Sequence, residues 1–387
     1  MSDSSTSGAL RLLDLFCGAG GASCGAWQAG AELVAGIDMN EDALKTHAHN
    51  LPGAHIRHDL SDVDTSVLPS TDIDWIHGSP PCQGFSQARG KRDEDDEKNQ
   101  LVWSFLEWVE ELQPKAVTME NVAGMATISN TMMDRIVGAF RDIGYSAKWK
   151  LINCADYGVP QTRKRIFVVA VRDDLPTLSK WFPTPTHAET RTTTLTGETL
   201  EEWRTVRDAI GNLSTKNHGV TSSSSWRTPD SPAATVGASS EMYVTDGGVP
   251  NHSPEPLSEK AKDYLTRDER HLSKHPPNEF DSPARTIPAN IHKGVPYGLV
   301  EVPEDVATEP SCTVSASRPY LLERGHGEHI QDRDVRRLTV REAARLQSFD
   351  DWFLFQGTKT AKLRQVGNAV PPRFQQHMTA HIKEMLA

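Results

Sequence analysis

The feature that most constrains the fold is an apolar strand that runs directly into a glycine-rich loop, at residues 12–21. A helical stretch follows, through Gln28. Closely spaced glycines let a backbone approach a ligand, and the next helix offers free N–H groups at its N-terminus. The loop ends on Ser23 where the dinucleotide fingerprint needs glycine or alanine, which disfavours NAD. The pattern therefore predicts a nucleotide-type cradle in an α/β sheet.

Acidic residues follow the next two predicted strands. The apolar run at residues 33–37 ends in Asp38, about twenty residues beyond the glycine loop, where such folds place the acid that holds ribose hydroxyls. Asp59 follows residues 54–58 and is a candidate to accept a hydrogen bond from an adenine amino group. The alternative is that Asp59 is a solvated loop residue. The loop and Asp38 together favour an adenosine ligand.

Cys82 stands after two prolines at the end of an apolar strand, residues 73–76. Each proline fixes its own φ and pushes the preceding residue towards extended geometry, so the thiol has little conformational freedom. Gly78 and Gly84 leave room on both sides. A lone cysteine more often packs as a small hydrophobe, but the surrounding motifs favour a nucleophile.

Two further segments carry polar residues at predicted strand ends. Residues 116–122 deliver Glu120 and Asn121 at the C-terminal edge of a strand, where ligands bind in open α/β sheets. Arg163 and Arg165 precede an apolar strand, and we expect only one of them to enter the site directly.

Six motifs in a fixed order resemble the DNA cytosine-5 methyltransferase family. They span nearly the whole chain, which makes the signal specific. Where relatives commonly carry Glu and then an aromatic that stacks on adenine, this chain has Asp38 and Met39, whose sulfur can cover an adenine face. The motifs are residues 14–21, 80–86, 120–122, 161–165, 337–349 and 365–372.

The resemblance implies an α/β fold: a doubly wound, mostly parallel, Rossmann-like sheet with a second, smaller, irregular β-containing domain. It implies methyl transfer from S-adenosylmethionine, leaving S-adenosylhomocysteine, to C5 of a flipped-out cytosine in a specific double-stranded DNA sequence. A covalent bond between Cys82 and C6 is the implied intermediate. The implied cofactor-binding residues are Phe16, Gly18, Gly20, Gly21, Asp38, Met39, Asp59, Pro81 and Asn368.

By the same resemblance, Cys82 attacks C6, Glu120 binds N3 and the exocyclic amine, and Arg165 holds O2 while Arg163 shapes the site beside it. Residues 83–99 are suited to closing over the flipped base, with the acidic run at 93–97 as a solvated outer face. The implied DNA contacts are Gln83, Ser86, Arg89, Lys91, Arg92, Thr286 and Thr313.

Residues 10–173 alternate strand and helix, which predicts the catalytic and cofactor-binding domain, completed by residues 337–387. Prolines and Ser/Thr clusters replace this alternation over residues 174–336. By the family resemblance, this segment is a target recognition domain. A Pro-x-x-Thr-aliphatic element recurs there. Thr313 is the favoured contact to the backbone near the flipped base, and Thr286 remains an alternative.

The amino-acid composition limits which classes of protein are possible. A net charge of −11 over 387 residues predicts that basic residues are concentrated on one cleft, or that the enzyme works at high salt. Five cysteines without a Cys-x-x-Cys pair argue against a disulfide framework or a structural zinc. The absence of a signal peptide or membrane-length apolar run predicts a soluble, cytoplasmic, nucleoid-associated protein. We expect a monomer without membrane contact. A restriction endonuclease that acts on the same DNA site is a candidate partner, and an orphan enzyme without such a partner is the alternative.

The motifs disfavour three other classes of protein. A tRNA-directed branch has a different nucleophile motif, and a non-catalytic DNA-binding relative would have lost Cys82 or Glu120. Amino-directed DNA methyltransferases place an aromatic residue after the paired prolines, so Cys82 excludes them.

Overall fold

The computed structural model describes residues 8–81, 100–128, 130–176, 179–194, 197–210, 284–285, 299–302, 334–337 and 339–387. The chain forms two compact units. The first comprises Met1–Tyr157, Lys164–Thr186 and Ala369–Ala387, and the second comprises Gly158–Arg163 and His187–Asn368. The second unit begins and ends at other residues than the predicted recognition domain, so the assignment of 174–336 to recognition stays a prediction.

The first unit is built on a seven-stranded sheet with the order β3-β2-β1-β4-β5-β8-β6. Strand β8 is antiparallel to both of its neighbours, and the other pairs in this sheet are parallel. The predicted α/β class with a mostly parallel sheet is confirmed. The strands are β1 (Arg11–Leu15), β2 (Glu32–Asp38), β3 (Ala54–Arg57), β4 (Trp75–Gly78), β5 (Ala116–Val122), β6 (Tyr145–Asn153) and β8 (Lys164–Arg172), with the short β7 (Gln161–Thr162) in the second unit.

The strand order reverses beside β1. The chain moves outward from β1 to β2 and β3, then returns to place β4 on the other side of β1 and continues to β5. Two neighbouring strands whose following loops lead in opposite directions leave a crevice between them at their C-terminal ends. The glycine loop follows β1 and the paired prolines follow β4, so both predicted motifs lie at this crevice.

Both units contain helices. In the first unit they are α1 (Gly21–Gln28), α2 (Glu41–Asn50), α3 (Gln100–Leu112), α4 (Gly124–Ile128), α5 (Asn130–Asp142) and α9 (Pro372–Leu386); in the second, α6 (Val206–Ile210), α7 (Val340–Leu346) and α8 (Lys359–Asn368). Helix α3 buries Val102, Phe105, Trp108 and Val109, a helical spacing that points one face to the core. Each such side chain contributes about 1.5–3 kcal/mol.

Strand β6 is an element that the sequence pattern did not predict. Its residues alternate between buried and exposed positions, and lysines 148 and 150 lie on this strand. Because β6 pairs only with β8 in the described sheet, it is an edge strand, and one of its faces needs no apolar side chains. Its sequence therefore lacks the continuous apolar run that marks the central strands.

The second unit contains short strands, as expected for the smaller, irregular β-containing domain. They are β9 (His187–Ala188), β10 (Thr192–Thr193), β11 (Thr199–Glu202), β12 (Ala284–Arg285), β13 (Leu299–Val302) and β14 (Asp334–Arg337). Helix α7 begins with a capping box between Thr339 and Glu342. Within the residues that the structure describes, no helix is long and apolar enough to cross a membrane.

Candidate active site

Strand register brings the predicted motifs to one edge of the sheet. Leu15 pairs with Ile37 on one side and with Gly78 on the other, and Gly78 pairs with Met119. Residues that follow these positions therefore leave the sheet together. Strand β8 runs in the opposite direction, so its first residues lie at the same edge, where Val122 pairs with Arg165.

The glycine loop has the backbone that its sequence predicts. Gly18 and Gly20 have φ values of 54° and 92°, which favour glycine, and Phe16 adopts a φ of 55°. A Cβ on Gly18 would meet no atom of the described residues within 4 Å, so the loop borders open space. Gly21 differs, because its Cβ would lie 2.3 Å from the carbonyl oxygen of Val370. Gly21 thus allows α1 to pack closely against the chain before α9.

Asp38 connects the end of β2 to the glycine loop. Its Oδ2 accepts a hydrogen bond of 2.8 Å from the Gly18 N–H, and Oδ1 accepts one of 2.7 Å from the Asn40 N–H. Burial raises the pKa of Asp38, and these backbone hydrogen bonds oppose the shift. Each oxygen keeps a second lone pair, so the carboxylate can accept further hydrogen bonds from a ligand.

Met39 and Asp59 flank this region with different exposure. The Met39 side chain is 56% exposed, which leaves its sulfur free to cover an apolar ring. Asp59 is exposed, and its Oδ1 accepts hydrogen bonds from the N–H and hydroxyl of Ser61. These bonds lower the pKa of Asp59, so the group is ionised. The role of Asp59 towards adenine stays a prediction.

These residues fit an adenosylmethionine molecule. The open space in front of Gly18 admits a ligand against the backbone, Asp38 offers acceptors for ribose hydroxyls, and Met39 presents an exposed apolar group. The chemistry of this set is compatible with an adenosine ligand, and the cofactor roles of these residues stay predictions.

The side-chain amide of Asn121 holds the proline platform, which consists of Pro80 and Pro81. Asn121 is buried, and its Nδ2 donates a hydrogen bond of 3.1 Å to the carbonyl oxygen of Pro80. Its Oδ1 accepts a bond of 2.8 Å from the Val122 N–H. Both ends of the amide are therefore occupied, and β5 holds the turn that leads to Cys82. Pro81 is partly buried at the end of the described segment.

Glu120 and Arg165 form an ion pair at the same edge. Arg165 Nε lies 3.0 Å from Glu120 Oε1, and the two side chains are only 13% and 9% exposed. Such a low exposure strengthens the attraction between the two charges, and it holds both groups in a defined geometry. An acid and a guanidinium side by side match the two functions predicted for cytosine N3 and O2.

Arg163 belongs to the second unit, and its predicted role beside Arg165 stays a prediction. Residues two apart in a strand share a face, but β8 begins at Lys164, so Arg163 precedes the strand. Its side chain is buried in the second unit, where Nη2 donates a hydrogen bond of 3.1 Å to the carbonyl oxygen of Gly367. Asn368, the last residue of α8, is exposed and also belongs to the second unit. The predicted cofactor role of Asn368 stays a prediction.

Several predicted residues lie outside the described part of the chain. The nucleophile Cys82 is one of them, and the DNA contacts are the others. They are Gln83, Ser86, Arg89, Lys91, Arg92, Thr286 and Thr313.

Two buried histidines near the site were not singled out by the sequence. His77, on β4, lies 2.8 Å from the Thr118 hydroxyl through Nδ1 and 3.4 Å from the Ser79 hydroxyl through Nε2. His47, on α2, contacts Ser23 of α1. A single histidine in an apolar strand or helix carries no sequence signal of its partners, so only the fold could reveal these contacts.

Comparison with known proteins agrees with this geometry. The sequence model of the family described as "C-5 cytosine-specific DNA methylase" matches residues 10–384. The type II methyltransferase M1.HphI of Haemophilus parahaemolyticus is 31% identical over 97% of this chain and 87% of its own length. The type II methyltransferase M.XorII of Xanthomonas oryzae pv. oryzae is also 31% identical, over 97% of this chain and 84% of its own.

Solved structures show the same fold. A DNMT2 variant of Spodoptera frugiperda superposes with a TM-score of 0.60 at 17% identity, covering 98% of this chain and 99% of the other. A methyltransferase of Entamoeba histolytica, EhMeth, gives the same TM-score at 15% identity, with coverage of 98% and 99%.

Proposed function

The chain belongs to the family of C-5 cytosine-specific DNA methylases and is a DNA cytosine-5 methyltransferase, and from that premise we propose how its residues divide the reaction. In this proposal the methyl group comes from S-adenosylmethionine, and the acceptor is C5 of a cytosine flipped out of a specific duplex sequence. The observation that carries the proposal is the Glu120–Arg165 pair beside the Asn121-anchored proline platform, at the same sheet edge as the glycine loop.

The cofactor side is built by the glycine loop and the end of β2. Bound there, S-adenosylmethionine would supply an electrophilic methyl group and leave as S-adenosylhomocysteine. Asp38 would accept hydrogen bonds from the ribose hydroxyls, and its contact with the Gly18 N–H holds the glycine loop against the end of β2. Met39 would cover the adenine, and Asp59 would accept a hydrogen bond from its amino group.

On the catalytic side, the Cys82 thiolate adds to C6, because C5 of cytosine is too weak a nucleophile to accept a methyl group unaided. Glu120 hydrogen-bonds or protonates N3, and Arg165 holds O2, so that the negative charge developing on the ring is offset. After methylation, the C5 proton leaves to a base, the C5–C6 double bond re-forms and the Cys82 thiolate is expelled. The ring is then aromatic again.

Access to the cytosine requires base flipping, which costs a few kcal/mol. Residues 83–99 would close over the flipped base, with Gln83, Ser86, Arg89, Lys91 and Arg92 as DNA contacts. Residues 174–336 would select the sequence, through a threonine at 313 or 286.

Relatives at 31% identity are type II methyltransferases, which supports a restriction-modification context. We include in the proposal a restriction endonuclease of the same site specificity, a monomeric enzyme and action on the DNA of the cell's nucleoid.

Product analysis tests the proposal. Amplified DNA of mixed sequence is incubated with the protein and S-adenosylmethionine that carries a deuterated methyl group, and the nucleosides are analysed by mass spectrometry. We expect label in 5-methylcytosine. Glu120→Gln should lower the rate about 10²–10⁴-fold, because the carboxyl group acts on the ring in the transition state.

Glu32→Gln is a matched control, since Glu32 also faces an arginine, Arg11, at 3.7 Å, but belongs to the start of β2. Its rate should equal that of the wild type. Label in N4-methylcytosine or N6-methyladenine, or an unchanged rate in Glu120→Gln, would contradict the proposal.

A further inference from the structure

A chain of hydrogen bonds leads from a half-buried histidine to a buried carboxylate under the glycine loop. Asp14, on β1, accepts bonds through Oδ2 from the Ser23 hydroxyl at 2.5 Å and from the Ser23 N–H at 3.1 Å. His47 Nε2 lies 3.0 Å from the same hydroxyl, and His47 Nδ1 lies 2.9 Å from His55 Nδ1. Four side chains from β1, α1, α2 and β3 are thus connected.

Two glycines make room for His47. A Cβ on Gly36 would lie 2.5 Å from His47 Nε2, and a Cβ on Gly20 would lie 2.7 Å from His47 Cδ2. Gly36 is inside β2, where glycine weakens a strand, so its place there is explained by the close approach of the imidazole. Gly20 belongs to the glycine loop itself, so the imidazole packs directly against the cofactor loop.

Asp14 also caps α1. The cap residue Gly20 has no side chain, and the Ser23 N–H, one of the free donors of the first turn, is satisfied by Asp14 instead. The charge of Asp14 therefore acts at the helix end that carries the loop. Asp14 is 1% exposed, and its Oδ1 accepts no hydrogen bond from the described residues.

With Asp14 ionised, the hydrogen bonds have one consistent direction. The Ser23 hydroxyl donates to Asp14, so its oxygen must accept from His47 Nε2–H. A neutral His47 then accepts through Nδ1, and His55 donates from Nδ1–H. Each hydrogen bond between Asp14 Oδ2 and His55 Nδ1 then has one donor and one acceptor, with both histidines neutral.

With Asp14 protonated, every direction reverses. A proton from solvent binds His55 Nε2, the His55 Nδ1 proton moves to His47 Nδ1, the His47 Nε2 proton moves to Ser23 Oγ, and the Ser23 hydroxyl proton moves to Asp14 Oδ2. One proton enters, one carboxylate is neutralised, and both histidines change tautomer.

The surrounding groups place this exchange near neutral pH. Burial raises the pKa of Asp14 to about 7; the Ser23 bonds oppose the shift, and the carboxylate of Asp38 adds to it. Burial lowers the pKa of His47 to about 3 and also lowers that of His55, which favours the neutral form of both rings. The neighbouring thiol of Cys17 stays protonated, because burial and both carboxylates raise its pKa.

We propose that Ser23, His47 and His55 form a proton path to Asp14. These positioning residues control the charge of Asp14, and that charge sets how strongly the glycine loop prefers cationic ligands. The second part rests on the proposed function. An ionised Asp14 favours the sulfonium of S-adenosylmethionine over the uncharged thioether of S-adenosylhomocysteine, and protonation removes that preference.

Nitrogen-15 NMR of the histidine rings tests the path without any ligand. In the full chain, we expect His47 to carry its proton on Nε2 at about pH 8.5 and on Nδ1 at about pH 5.5. His47→Gln assigns the signals, and the exposed His49 on the same helix lies outside the path and provides an internal reference signal. A single tautomer of His47 over this range would overturn the path.

Binding measurements test the link to the cofactor. Between about pH 5.5 and 8.5, the affinity ratio of S-adenosylmethionine to S-adenosylhomocysteine should rise about tenfold in the wild type. It should stay flat in Asp14→Asn, whose side chain carries no charge at either pH. A tautomer change with no binding of either ligand would refute the proposed function and leave the path standing. If the wild type binds both ligands but its affinity ratio does not change with pH, the proposed effect of Asp14 on ligand preference is overturned.

Discussion

At the scale of single residues, buried histidines support the active-site turns. His77 is fully buried between Thr118 and Ser79, and the Trp75 Nε1–H donates a 2.9 Å hydrogen bond to the same Thr118 hydroxyl. Ser79 begins the turn that carries Pro80 and Pro81. A neutral imidazole can accept at one nitrogen and donate at the other, so it suits a position between two hydroxyls.

The state of His77 gives a prediction about pH. Burial lowers the pKa of His77 from 6.5 to about 3. A lowered pKa means that the stability associated with neutral His77 is complete above about pH 6.5 and is lost as the pH falls towards 3. Between about pH 7.5 and pH 5, the wild type should therefore lose about 2 kcal/mol more unfolding free energy than His77→Gln.

Urea denaturation at the two pH values measures this difference. His49→Gln, at an exposed position, serves as the control and should follow the wild type. Equal losses in the wild type and in His77→Gln would mean that His77 takes up no proton on unfolding in this range.

At the scale of elements, the pattern of the sequence was informative where burial is continuous. The predicted strand at 116–122 coincides with β5, because an apolar run is a direct consequence of burial. The edge strand β6 has one exposed face and was not predicted. Helix α1 was expected from the glycine loop, but its packing against α9 was not, since the contact depends on residues distant in sequence.

The contact between α1 and α9 gives a second prediction. A Cβ on Gly25 would lie 2.2 Å from the Pro372 carbonyl oxygen and 2.7 Å from Gln375 Cβ, so Gly25→Ala must separate the helices. We expect a loss of about 1–3 kcal/mol in unfolding free energy. Gly138, inside α5, is the matched control, since its Cβ would meet no described atom within 4 Å.

Gly138→Ala should stabilise the protein by about 0.4–1 kcal/mol, because alanine restricts the unfolded chain and favours the helix. Denaturant titration of both variants gives the comparison. A gain in Gly25→Ala similar to that in Gly138→Ala would show that α1 and α9 are not in close contact.

At the scale of the whole molecule, the sequence placed its motifs after strands whose ends meet at one edge of the sheet, and the roles of these residues in binding and catalysis stay predictions. Asp38, Glu120 and Arg165 are found there with the partners described above. The burial of Arg163 beside Gly367, the anchoring of Pro80 by Asn121 and the chain from His55 to Asp14 were not predicted. Each of them depends on side-chain contacts between segments that no local pattern connects.

The central claim is covalent catalysis by Cys82, and trapping of the intermediate tests it most directly. Fluorine at C5 blocks the final proton removal, so duplex DNA containing 5-fluorocytosine should become bound to the enzyme when S-adenosylmethionine is present. The adduct should survive denaturation, and mass spectrometry of the digested protein should locate it at Cys82. Cys82→Ser should form no adduct, because a hydroxyl is far less nucleophilic at neutral pH than a partly ionised thiol.

Cys17, Cys24 and Cys154 are buried, so we expect them to be unmodified in the same digest. The predicted result is one adduct, at Cys82, that depends on S-adenosylmethionine. An adduct at Cys17, Cys24, Cys154 or Cys312, or methyl transfer at a near wild-type rate in Cys82→Ser, would contradict the mechanism.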